Sequence, residues 1–250
     1  MQASPGAPGC DAPAAPGATR LRPRCGAPHA PAPCRTGCDT PDVDAHLELA
    51  DFRRRVAANY ARMRDGGPGA GSWMAWRIAR DALFASHPQS PVPDDRRAGF
   101  TGMHFFPHDP SWRLAARVES PPGAGGAHSS GAIGPSISGP DGVFRMIGIA
   151  VATRGEHEIR LPLLWLEAYG GGLFLPFRDA TNGDDTYGGG RYLLDQAKGA
   201  DLGTDPDGAL ILDFNFAYHP SCAHDPRWTC PLAPADSVVS IPVRAGELAP

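Results

Sequence analysis

The chain has 250 residues, a formal net charge of −4 and a low share, 20%, of charged residues. A single β-rich domain of this length is ordinary, and a weakly acidic surface lacks the sustained positive field that holds a phosphate backbone, so nucleic acid is not an expected partner. No run approaches the ~18 apolar residues of a membrane span, and the opening "MQASPGAPGC" has neither the basic nor the apolar segment of a secretion signal. The expectation is a cytoplasmic protein without membrane contact, in which six cysteines remain thiols or serve as ligands.

Residues 1–42 are rich in Pro, Ala and Gly and almost devoid of large apolar side chains, too poor in burial to offset the entropy of ordering. They read as a disordered tail, and Cys10, Cys25, Cys34 and Cys38 within it read as incidental. Residues 43–250 read as one domain. From Asp44 the segment "DAHLELADFRRRVAANYARMRDGG" spaces Leu49, Phe52, Val56, Tyr60 and Met63 at helical intervals and ends on Gly66 and Gly67. A second helix fits "SWMAWRIARDALFASHP", with Ser72 as cap, Arg77 and Asp81 able to pair at i,i+4, and His87-Pro88 as the stop.

After Pro93 the period shortens to two. "FTGMHFF" and "WRLAARVES" read as strands, residues 121–142 as a long mobile loop, and "VFRMIGIAVAT", "EIRLPLLWLEAY", "LFLPFRD", "GRYLLD" and "ALILDFNFAY" as further strands, with "SVVSIPVRAG" as one more candidate. Gly170 to Gly172 suit a hairpin needing positive φ. Short strands joined by turns predict a mainly β fold, an antiparallel sandwich or a barrel-like sheet carrying two N-terminal helices.

Chemistry-bearing residues gather late in the chain. In "ALILDFNFAY" a period of two puts Asp213 and Asn215 on the face opposite Leu212 and Phe214. Upstream, "FRDATNGDDTYGGGRYLL" presents Asp179, Tyr187 and Arg191 around three glycines. No lysine and no helix follow those glycines, so they are not a phosphate loop, whereas Arg191 could clamp an anion with its fork of donors. Next comes His219-x2-Cys222-x-His224-x5-Cys230, donors of the right kinds for zinc at a spacing structural zinc sites rarely use. The same residues allow Cys222 as a nucleophile with His219 as base, or a proline-braced loop with no chemistry.

The succession Phe177, Asp179, Thr181, "TYGGGRYLL", "LDFNFAYHPSC", "TCPLAP" and "VRAGE", with "RIARDALFASHPQSP" and "FTGMHFFPHDPSWRLAARV" before it, resembles the family called domain of unknown function 1684. That resemblance carries no established activity. It implies Asn where this chain has His219 and no need of a histidine at 224, which makes two of the four zinc donors local features. It binds Cys222, Cys230, Asp179, Tyr187, Arg191, Asp213 and Asn215 into one cluster. The chain departs from the family at Ala233 to Ser237, where Pro-Pro-x-Glu-Asn is usual. The functional expectation is a small polar or anionic molecule bound by Asp179, Tyr187, Arg191, Asp213 and Asn215 with no cofactor. The alternatives are a thiol hydrolase or transferase on Cys222, and a purely structural polar network.

Overall fold

The computed structural model describes residues 43–121, 136–139, 142–167 and 169–250. The expected tail and most of the expected 121–142 loop lie outside them. Residues 42–250 form one compact unit. Among the described residues no helix is long and apolar enough to cross a membrane.

Two helices lead. Helix α1 is Val43–Gly66 and α2 is Ala70–Ser86. The second starts before the expected cap: Gly69, at φ 138°, makes the turn into it, and Ser72 lies inside the first turn. Arg77 and Asp81 do not form the expected pair. Asp81 accepts the Met103 N–H at 2.9 Å, while the Arg77 guanidinium stacks over Phe105 and Trp73 at 4.3 and 4.8 Å. A one-turn helix α3, Asp94–Arg97, follows.

The strands are β1 (Arg113–Glu119), β2 (Ser136–Gly139), β3 (Gly142–Arg154), β4 (His157–Leu166), β5 (Leu173–Phe177), β6 (Arg191–Asp195) and β7 (Leu210–Asp213). They make one curled antiparallel sheet in the order β6-β5-β4-β3-β1-β7, with β2 paired to β3. Strand β2 falls inside the segment expected to be loop, because Ser136–Gly139 folds back on β3 as a short hairpin arm. Curling follows from β1 changing partner along its length: Arg113 to Ala116 pair with β7, and Arg117 to Glu119 with β3. Beyond β7 the chain returns to the opposite edge, where Tyr218 and Tyr192 exchange two backbone bonds at 2.8 and 3.1 Å. The fold is a half-barrel rather than a two-sheet sandwich.

Gly171 shows why the β4–β5 turn needs glycine. Its φ is +60°, and a Cβ there would lie 2.2 Å from the Trp165 ring.

Three expected strands are shorter or missing. "FTGMHFF" contributes a single bridge at Phe105, and "SVVSIPVRAG" one at Val238. Strand β7 stops at Asp213, whose carboxylate accepts the Asn215 N–H at 3.1 Å and caps a 3-10 turn over Phe214–Phe216. The alternation read across this segment therefore fails at its last five residues, and both faces are buried.

Among the described residues the buried apolar side chains gather in three clusters, two of them large. One fills the hollow of the sheet around Leu161, Leu175, Phe177, Leu212 and Phe214. The other joins the helices to the sheet through Tyr60, Trp73 and Trp76 against Phe174, Tyr192 and Phe216.

Candidate functional site

Arg191 begins β6 and is fully buried. Its Nη1 donates to the Ala245 carbonyl at 2.5 Å, and its Nη2 to the Val243 carbonyl at 2.9 Å and to Asp179 Oδ1 at 3.3 Å. Burial lowers the Arg191 pKa against the pull of Asp179. The Asp179 carboxylate also accepts the Val243 N–H at 2.5 Å and the Thr181 hydroxyl at 3.0 Å. The fork expected to hold a ligand is thus occupied by the backbone of the C-terminal segment, which among the described residues makes only isolated bridges at Val238 and Glu247.

Asp213 and Asn215 are sealed in the same way. Asp213 pairs with Arg113 at 3.2 Å and accepts Asn215 Nδ2 at 2.9 Å. Asn215 exchanges two bonds of 2.9 Å with the Asp109 backbone, and its carbonyl accepts the Trp73 indole N–H. Of the five expected ligand residues only Tyr187 is not buried.

A second buried network was not expected at all. Arg80 on α2 donates through Nε to Glu247 Oε1 at 2.6 Å, and the His219 N–H reaches Glu247 Oε2 at 2.8 Å. Burial works to raise the Glu247 pKa, but the Arg80 charge and hydrogen bond hold it below the usual range. His219 Nε2 accepts the Tyr187 N–H at 3.2 Å, so its proton belongs on Nδ1, 3.7 Å from Glu247. Burial pushes His219 down to about 3 and His224 down to about 4. Both imidazoles are neutral at physiological pH.

The four zinc candidates are not brought to one point. His219 faces Tyr187 and Glu247, His224 stands edge-on to Phe84, and among the described residues no group of three or more His, Cys, Asp or Glu could hold a metal. The Cys222 backbone N–H donates to Cys230 Sγ at 3.4 Å, and the Tyr187 hydroxyl is 4.0 Å from Cys222 Sγ. Since Tyr187 and Glu247 flank the His219 ring, that ring is not disposed as a base for the thiol.

The cavity lies elsewhere. Between α1, the β5–β6 edge and the 221–231 loop is a space of about 310 Å³, walled by Leu49, Phe52, Phe144, Leu166, Phe174 and Trp228. Its charged walls are Arg53, Lys198 and Asp195, and Lys198 Nζ pairs with Asp195 at 3.0 Å. None of the five expected ligand residues lines it; Cys230 does. A smaller space of about 30 Å³ shares Phe52, Lys198 and Ser221 with it and reaches Arg80 and His219.

Residues 98–248 match the family described as "Protein of unknown function (DUF1684)". The protein belongs to that family. The match begins after α2, so the helical part of the resemblance lies outside it. No curated protein matches. Among solved structures the chain is similar to the solution structure of an uncharacterized protein from Haloarcula marismortui. The two are 30% identical over 70% of this chain and 91% of that one, with a TM-score of 0.49.

Proposed function

We propose that the protein binds a small amphipathic acid in the cavity between α1, the β5–β6 edge and the 221–231 loop. The observation that carries this reading is the composition of the walls: apolar and aromatic side chains around about 310 Å³, with two cations, Arg53 and Lys198, against one carboxylate, Asp195. A mostly apolar pocket with a few polar groups is what small-molecule sites share. The apolar body of the ligand would lie against Phe52, Phe144 and Phe174, and its carboxylate would turn to Arg53 and Lys198, both long enough to follow it. The proposal retains the anionic ligand expected from the sequence and moves it away from Arg191. It also keeps the protein in the cytoplasm, where Cys222 and Cys230 start as thiols.

Ligand-observed NMR of octanoate and phenylpropionate, with their neutral amides as controls, tests this. Saturable binding of the acids, weakened about ten-fold in R53M/K198M, is expected. Acids that bind no better than the amides, or that leave the signals unchanged, would overturn it.

A further inference from the structure

The loop that follows Tyr218 brings two cysteines together. It opens with a 3-10 turn, Ser221–Ala223, and is braced at several points. Asp225 Oδ1 accepts the Arg227 N–H at 2.9 Å, Arg227 Nη2 donates to the Ser90 carbonyl at 2.9 Å, Arg96 donates to the His224 carbonyl, and Tyr192 donates its hydroxyl to the Pro231 carbonyl. These ties hold both ends of the Cys222–Cys230 span independently of the cysteines. The Cys222 backbone N–H donates to Cys230 Sγ at 3.4 Å. Both cysteines are free and half-buried. With the Cys222 backbone N 3.4 Å from Cys230 Sγ, the two residues are near enough to join through a local adjustment of the loop, and partial exposure admits a small reagent.

We propose that Cys222 and Cys230 form a redox dithiol that reacts with small hydroperoxides and closes to a disulfide in the wall of the cavity. Cys222 is the attacking sulfur. Burial, together with charge on Cys222, pushes the Cys230 thiol up to about 11, which makes Cys230 the poorer nucleophile and suits it to the second step. In the first step the Cys222 thiolate attacks the outer peroxide oxygen. An S–O bond forms, the O–O bond breaks, and the alcohol or water leaves with a proton, giving a sulfenic acid. In the second, Cys230 attacks the Cys222 sulfur; the S–S bond forms, the S–O bond breaks, and hydroxide leaves with the Cys230 proton as water. Two electrons pass from the thiol pair to the peroxide, and an external dithiol restores the pair. The Tyr187 hydroxyl, 4.0 Å from Cys222 Sγ, is placed to donate to the sulfenic oxygen. None of this depends on a ligand in the cavity.

The test uses the full chain with Cys10, Cys25, Cys34 and Cys38 replaced by Ser, treated with stoichiometric hydrogen peroxide and mapped by non-reducing peptide mass spectrometry. The expected product is a Cys222–Cys230 disulfide, lost on dithiothreitol treatment. C230S should trap a dimedone-reactive sulfenic acid at Cys222, whereas C222S should leave Cys230 labelled more than ten-fold more slowly. Mapping the unmodified chain with all six cysteines guards against a variant that fails to fold, since the same linkage must appear there. Two reduced thiols after peroxide, or trapping at Cys230 in C222S as fast as at Cys222 in C230S, would overturn the proposal.

Discussion

The Arg191 cluster and the cavity beside Lys198 are opposite solutions at the two ends of β6. The first is charged and closed: Arg191 and Asp179 are fully buried side chains whose bonds go to one another, to Thr181 and to residues 243–247. The second is mostly apolar, with Arg53, Lys198 and Asp195 as its charged walls. Segment 243–247 lies against the sheet without forming a strand; Gly246 and Glu247 pair with the backbone of Phe106 and Ala217, and the groups left over at Val243 and Ala245 are taken by the Arg191 and Asp179 side chains. Polarity here marks how the chain is fastened. The proposed ligand space is where aromatic side chains leave a gap.

The comparison breaks most visibly at Arg191. R191A leaves Asp179 buried and uncompensated and frees the carbonyls of Val243 and Ala245, so a loss of about 3–5 kcal/mol is expected in urea denaturation. If instead R191A kept its midpoint and changed only a binding signal, the cluster would be the ligand site after all.

Acid sharpens the same contrast. His219 and His224 are held near 3 and 4 in the fold by burial, against 6.5 for the unfolded side chain. Between pH 6.5 and about 4 the unfolded chain binds protons that the native one refuses. Their contribution is complete above pH 6.5 and declines as pH falls, by up to ~1.4 kcal/mol per pH unit for each histidine. H219N should remove about half of that slope between pH 6 and pH 4.5. A slope unchanged by H219N would mean that this ring is not buried neutral.

Smaller effects separate the two regions further. N215A gives up the bonds to Asp109 and Asp213 and is expected to cost about 2 kcal/mol while leaving the cavity intact. K198M takes a partly exposed cation away from the buried Asp195 carboxylate, which still accepts the Tyr218 hydroxyl, and should cost about 1 kcal/mol. L49W, at a half-buried position on α1, should change stability by about 0.5 kcal/mol or less yet fill part of the cavity.

Much of this architecture could be read from the chain. Helical spacing located α1 and α2, alternation located β1, and short apolar segments between turns located β3, β4, β5 and β6, of which β5 and β6 are buried on both faces. Strand β7 was read five residues too long, since Phe214, Phe216 and Tyr218 alternate as a strand would. The competing signal was Asp213 two residues before Asn215, a side chain able to take the backbone N–H that a ladder would have used. The network around Glu247 was missed, although α2 carries a trace of it: Arg80 interrupts the stripe formed by Trp73, Trp76, Leu83 and Phe84, and a charge on such a stripe implies a buried partner. Which partner depends on a contact 167 residues away. The cavity was not legible either, because its walls come from α1, the sheet edge and the C-terminal loop, and none of those segments is unusual alone.

The most direct measurement is calorimetric titration of octanoate into three proteins: the unmodified chain, N215A and L49W. The account predicts that N215A binds as the unmodified chain does despite its lower stability, and that L49W, equally stable, binds at least ten-fold more weakly. Loss of binding in N215A with retention in L49W would place the site at the buried polar cluster and contradict the division drawn between the two regions.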